Sequence, residues 1–131
     1  MAKTGSLAMP ATILVAEDSA DTRAMLRRAL SSYGYHVVEA ADGCEAVEVA
    51  ASECPDLVVM DLNMPVMDGL AATERIRELR EKCGGVPIVA ATAFDTYGMK
   101  EAALEAGCNA YLLKPLDLDE LESVIAGLLA G

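Results

Sequence analysis

The run Leu57-Val58-Val59-Met60 passes directly into Asp61-Leu62-Asn63-Met64-Pro65-Val66-Met67-Asp68-Gly69. Four apolar residues in a row, two of them β-branched, match a strand covered on both faces rather than a strand with one wet side. An acid stands at its carboxyl end, followed by a turn that Pro65 restricts and Gly69 releases. Working outward, further apolar runs stand at Thr12–Ala16, His36–Ala40, Pro87–Thr92 and Ala110–Leu113, and Ile88-Val89-Ala90-Ala91 is again continuous. Helical patterns fill the gaps. Ser19 caps the first, which sets Leu26, Ala29, Leu30 and Tyr33 on one face. Asp42 with Glu45, and Asp117 with Glu120, have capping-box spacing at the starts of the second and fifth. The third runs from Gly69 to Lys82 and stops at Gly84-Gly85. The fourth follows Asp95 and ends at Gly107, and the fifth places Leu118, Leu121, Ile125 and Leu128 at helical spacing. Five strands alternating with five helices imply β-α-β crossovers and an α/β, doubly wound parallel sheet with helices on both faces.

A length of 131 residues suits one domain, and 53% hydrophobic with 24% charged residues can build a core. Residues 1–10, with Gly5, Ser6 and Pro10, read as a flexible leader, and 11–131 as the folded domain. A formal net charge of −11 repels phosphate backbones and anionic lipid, which argues against direct nucleic-acid or membrane-surface binding. The apolar stretch Leu7 to Ala16 after Lys3 has a weak secretory look, but no small-residue cleavage pattern precedes Glu17-Asp18, so a first core strand and a cytoplasmic protein are expected. Cys44, Cys54, Cys83 and Cys108 form no C-x-x-C pair and read as separate intracellular thiols, neither a disulfide frame nor a zinc site. His36 reads as structural, and Met60, Met64, Met67 and Met99 as packing.

Open parallel sheets bind ligands in the crevice outside the carboxyl ends of their strands. There this sequence places Glu17 and Asp18 after the first run, Asp61 after the third, Thr92-Ala93 at the end of the fourth and Lys114-Pro115 after the fifth. Each acid alone is an ordinary cap or loop residue; three at strand ends are not. Two unit charges about 5 Å apart repel by about 3 kcal/mol at an effective dielectric near 20, so three pairs cost roughly 10 kcal/mol unrelieved. Lys114 offsets part, and a divalent cation relieves the rest. All-oxygen ligands without nearby His or Cys suit Mg²⁺. Asp18 is the expected direct ligand, Glu17 the holder of a metal-bound water, and the Asn63 carbonyl a third donor aimed by the turn. A carboxylate, a hydroxyl, an ammonium and a magnesium site together meet the needs of phosphoryl transfer onto Asp61.

These motifs, Glu17-Asp18, Asp61 with Asn63-Met64-Pro65 and Met67-Asp68-Gly69, Thr92-Ala93 and Lys114-Pro115, resemble those of receiver domains of two-component response regulators, from Thr12 to Leu129. The resemblance implies a flavodoxin-like strand order 2-1-3-4-5. It implies that Asp61 accepts a phosphoryl group from a phosphohistidine on a sensor histidine kinase or a histidine phosphotransfer protein. Asp18, Asp61 and the Asn63 backbone carbonyl then hold Mg²⁺, with Glu17 in support, and Lys114 pairs with the phosphoryl group ahead of a cis bond to Pro115. Thr92 swings to the phosphoryl oxygen and Tyr111 moves inward, although Tyr111 reads equally as a core or edge aromatic. The face formed by the fourth helix, fifth strand and fifth helix changes its affinity for an output protein or domain. Phe94, two residues past Thr92, either shields the site from water or lies idle. The chain is then a signalling switch rather than an enzyme acting on external substrates. Two alternatives compete: a constitutive interaction module of the same fold, which usually lacks one of the five groups, and a magnesium-dependent phosphatase of the haloacid dehalogenase type. The latter carries a second acid two residues after its nucleophile, where this chain has Asn63.

Overall fold

The apolar runs form strands and the periodic segments between them form helices. In a computed structural model describing residues 10–93 and 98–131, the strands are β1 (Thr12–Ala16), β2 (His36–Ala40), β3 (Leu57–Asp61), β4 (Ile88–Thr92) and β5 (Ala110–Leu113). The helices are α1 (Ala20–Ser32), α2 (Gly43–Glu53), α3 (Gly69–Arg77), α4 (Met99–Ala106) and α5 (Leu118–Ala130). All neighbouring strands are parallel, in the order β2-β1-β3-β4-β5. The expected fold and strand order are therefore the observed ones. β3 and β4 are buried at every residue, which is why their sequences show no polar alternation.

Successive strand residues point to opposite faces, and two cores result. On one face Ile13, Val15, Leu57, Val59 and Val89 pack with Leu26 and Leu30 of α1 and Leu121 and Ile125 of α5. On the other, Leu14, Val58, Met60, Ile88 and Ala90 meet Ala46 and Ala50 of α2, Ala72 and Ile76 of α3 and Ala103 of α4. Each fully buried Leu or Ile contributes about 1.5–3 kcal/mol of transfer free energy. The caps follow the sequence. Ser19 accepts the Thr22 amide, Asp42 the Glu45 amide, and Asp117 the amides of Asp119 and Glu120. Asp68 caps α3 by accepting the Ala71 amide.

Three expectations need correction. α3 ends at Arg77, not Lys82. Beyond it the chain tightens into i→i−3 bonds, Leu79 to Ile76 and Arg80 to Arg77, and Arg80 then takes a left-handed φ of 55°. Tyr33 lies at the C-cap of α1 with 44% of its surface exposed, its hydroxyl donating to Asp119, rather than in the core. The cysteines are not all separate: Cys54 and Cys83 form a disulfide with Cα atoms 5.2 Å apart, whereas Cys44 and Cys108 are free. Cys54 precedes β3 and Cys83 precedes β4, and strands paired in a sheet run about 5 Å apart. The pairing of β3 with β4 thus brings together cysteines 29 residues apart in sequence. Phe94, Asp95 and residues 1–9 of the expected leader lie outside the described residues.

Candidate functional site

The carboxyl ends of β1, β3, β4 and β5 lie side by side, and backbone bonds carry the ladder one residue past three of the strands. Glu17 donates its amide to the Ala40 carbonyl at 3.0 Å, Leu62 to Ala91 at 2.9 Å and Lys114 to Thr92 at 2.8 Å. The residues that follow each strand are therefore held on a rigid edge. Glu17, Asp18 and Asp61 each offer a carboxylate oxygen, all within 4.8 Å of one another. Glu17 and Asp61 are 3% and 4% exposed, whereas Asp18 faces solvent.

Lys114 is the cation of this rim. Its Nζ donates to Glu17 Oε1 at 2.7 Å and lies 3.3 Å from Asp61 Oδ2. The second Glu17 oxygen accepts the Ser19 amide at 3.0 Å. Asp61 Oδ1 accepts the Asn63 amide at 3.0 Å, a local turn that fixes the carboxyl orientation. Thr92, fully buried, donates from Oγ1 to Asn63 Oδ1 at 2.8 Å. The Lys114–Pro115 peptide bond is cis. Beside the rim a cleft of about 510 Å³ is lined by Asp18, Asn63, Met64, Pro65, Asp68 and Met99. A second cavity, about 470 Å³, is lined by Thr22, Met25, Ala93, Lys114, Pro115 and Leu116.

The electrostatics are those of a site under tension. Burial pushes the Asp61 carboxyl up to about 6; the Asn63 amide and Lys114 favour its anion, while the Glu17 carboxylate works against it. For Lys114, burial lowers the pKa, but the hydrogen bond to Glu17 and the charges of Asp61 and Glu17 outweigh it, so the net direction is upward. Among the described residues, one ammonium thus contacts two of three clustered carboxylates, and full ionisation of these four groups leaves a charge of −2. The donor set contains only oxygens, some of them already committed to Lys114 and to backbone amides. It fits a small hard cation that takes a few protein ligands and keeps its waters, as Mg²⁺ does.

Of the residues expected here, Glu17, Asp18, Asp61, Asn63, Thr92 and Lys114 all meet at this edge. Tyr111 sits apart, half-buried against the core and opposite Ala90 in register, and His36 is exposed at the amino end of β2. The sequence reading misses Arg23. Its Nη1 donates to the Glu17 carbonyl at 2.8 Å and its Nε pairs with Glu39 at 3.0 Å, so it braces the turn that carries Glu17 and Asp18. The available signal is its place on the first turn after the Ser19 cap, where a cation lies within reach of the preceding acids. Among the described residues, no helix is long and apolar enough to cross a membrane.

Similar proteins carry the same architecture. The receiver domain of sensor histidine kinase PA1611 from Pseudomonas aeruginosa, solved with magnesium in its active-site cleft, superposes with a TM-score of 0.85 at 37% identity, covering 93% of this chain and 99% of that one. A chain of the CheX–CheY–BeF₃–Mg complex of Borrelia burgdorferi superposes with a TM-score of 0.84 at 26% identity, covering 92% of this chain and 90% of that one. Response regulator MprA of Mycolicibacterium vanbaalenii is 45% identical over 121 residues, which are 92% of this chain and 51% of that protein. The chain spans about half the length of such curated relatives. The model of the response regulator receiver domain matches residues 13–126. This chain belongs to the response regulator receiver domain family.

Proposed function

We propose that this domain is the phosphoacceptor switch of a two-component phosphorelay, with Asp61 as the acceptor. The observation that carries the reading is the convergence of Asp61 with Glu17, Asp18 and Lys114 on one edge, with the Asp61 carboxyl buried and reluctant to ionise. In the transfer, the P–N bond of a phosphohistidine breaks as a bond to an Asp61 oxygen forms, and the imidazole leaves. The donor is a sensor histidine kinase or a histidine phosphotransfer protein. Asp18, Asp61 and the Asn63 carbonyl would hold Mg²⁺, with Glu17 in support through water, and the ion would supply positive charge where charge develops on the transferred group.

The chain's own residues do the rest. The Asn63 amide fixes one Asp61 oxygen and so orients the other toward the incoming group. Lys114, already 3.3 Å from Asp61 Oδ2, moves from two carboxylates to the phosphoryl oxygens as charge develops there. Thr92 exchanges its bond to Asn63 for one to the phosphoryl group, and Tyr111 moves inward. Contacts made only in the phosphorylated state stabilise that state and change the face of α4, β5 and α5 toward an output partner. The domain does not act on external substrates, and neither nucleic acid nor membrane is a direct partner of so acidic a chain. A cytoplasmic location follows from the donor's chemistry.

Incubation with acetyl phosphate and Mg²⁺ tests the proposal. The expected result is a mass gain of one phosphoryl group, absent without Mg²⁺ and absent in Asp61→Asn. No gain, or an equal gain in the variant, rejects it.

A further inference from the structure

At the opposite edge of the sheet, the disulfide joins the C-cap of α2 to the connection between α3 and β4. Cys54 adopts a left-handed φ of 44° and Cys83 one of 75°. L side chains rarely adopt this conformation, and helix ends in it are usually glycine. Two non-glycine outliers joined to each other point to a constraint that serves something beyond a turn. Both cores close without either cysteine: neither is among the buried residues packed on the two sheet faces. Cys54 is exposed and Cys83 half-buried, so small thiols reach the bond.

The connection it clips is also gripped from the other side. Arg77, the last residue of α3, donates to the carbonyls of Gly84 at 2.8 Å and Val86 at 2.6 Å. The same guanidinium donates to the Gly107 carbonyl at 2.6 Å and to Asn109 Oδ1 at 2.9 Å. Gly107 is the C-cap of α4. Cys83, Gly84, Arg77 and the end of α4 thus form one connected stretch.

We propose that Cys54 and Cys83 are a reversible thiol–disulfide site whose closure orders the 78–87 connection and, through Arg77, the carboxyl end of α4. The oxidant class is a small disulfide. The exposed Cys54 thiolate attacks one of its sulfurs, forming a mixed disulfide and expelling one small thiolate. The Cys83 thiolate then attacks the Cys54 sulfur and expels the second. Two protein thiols are oxidised, one small disulfide is reduced to two thiols, and the two cysteine protons end on the leaving thiolates.

The test uses the whole chain, reduced and then incubated for hours with oxidised glutathione. Peptide mapping should show a Cys54–Cys83 crosslink that a dithiol reverses, in wild type and in Cys44→Ser, but not in Cys54→Ser. Closing a loop of this length should raise Tm by an amount on the order of 10 °C. Hydrogen exchange should slow on closure in peptides covering 78–87 and 104–109, and not in Cys54→Ser. Failure of the pair to close or reopen overturns the proposal. So does closure that leaves exchange at 104–109 unchanged, because a merely structural staple stabilises its own loop without reaching α4.

Discussion

At Asp61, burial and the Glu17 carboxylate raise the carboxyl pKa to about 6, although the Asn63 amide and Lys114 both favour the anion. The folded state therefore binds this proton more tightly than the unfolded chain, whose value is near the ordinary 3.8. The resulting stabilisation is fully present below pH 3.8 and is lost as pH rises through about 6. Urea unfolding in metal-free buffer should show this contribution falling by about 2 kcal/mol across that window. Asp61→Asn should lack that component and be as stable as the parent, or more so, at neutral pH. A loss of several kcal/mol in the variant marks Asp61 as a structural acid. These residues were legible in the sequence because each follows an apolar run, and the fold brings run ends together. Arg23 was less legible: its role depends on the path of its side chain back to the Glu17 carbonyl, which spacing alone does not reveal.

Among the elements, α3 ties the helix layer to the reacting edge. Gly69 opens it, donating its amide to the Leu62 carbonyl at 3.1 Å. A Cβ there collides with the Asp61 carbonyl and lies 2.7 Å from Leu62 Cα. Both obstacles are backbone, so neither moves aside as a flexible side chain does. Gly69→Ala should therefore cost about 1–3 kcal/mol in chemical denaturation and lower the yield of acetyl phosphate labelling, because the strain falls on the acceptor's own backbone. Retained stability and labelling show that α3 can shift freely. The element pattern was readable from Ser19, Asp42 and Asp117, whose side chains do cap as their spacing suggests. The end of α3 was not. Glu78 to Lys82 continue a helix-friendly composition, but Arg77 turns aside to four acceptors and the chain follows it.

For the whole molecule, a net charge of −11 means that any salt relieves some repulsion, so magnesium must be compared with sodium chloride at equal ionic strength. A specific site adds stability by mass action, about 2.7 kcal/mol at a hundred times the dissociation constant. Mg²⁺ should raise Tm beyond the ionic-strength control in wild type. Asp18→Asn should lose that excess while folding normally, since Asp18 is exposed and surface changes usually fall within about 0.5 kcal/mol. An undiminished magnesium effect in Asp18→Asn removes Asp18 from the ligand set. The disulfide shows what sequence reading lacks at this scale. Cys54 and Cys83 carry no local motif, and only the pairing of β3 with β4 makes them neighbours.

The carbon-13 resonance of the Asp61 carboxyl, followed through a pH titration with and without Mg²⁺, reads the tension at the rim directly. A midpoint near pH 6 in metal-free buffer, moving down by more than one unit when Mg²⁺ is added, is the predicted result. A midpoint near pH 4 that Mg²⁺ leaves in place contradicts the account, because Asp61 is then an ordinary acid with nothing for a cation to relieve.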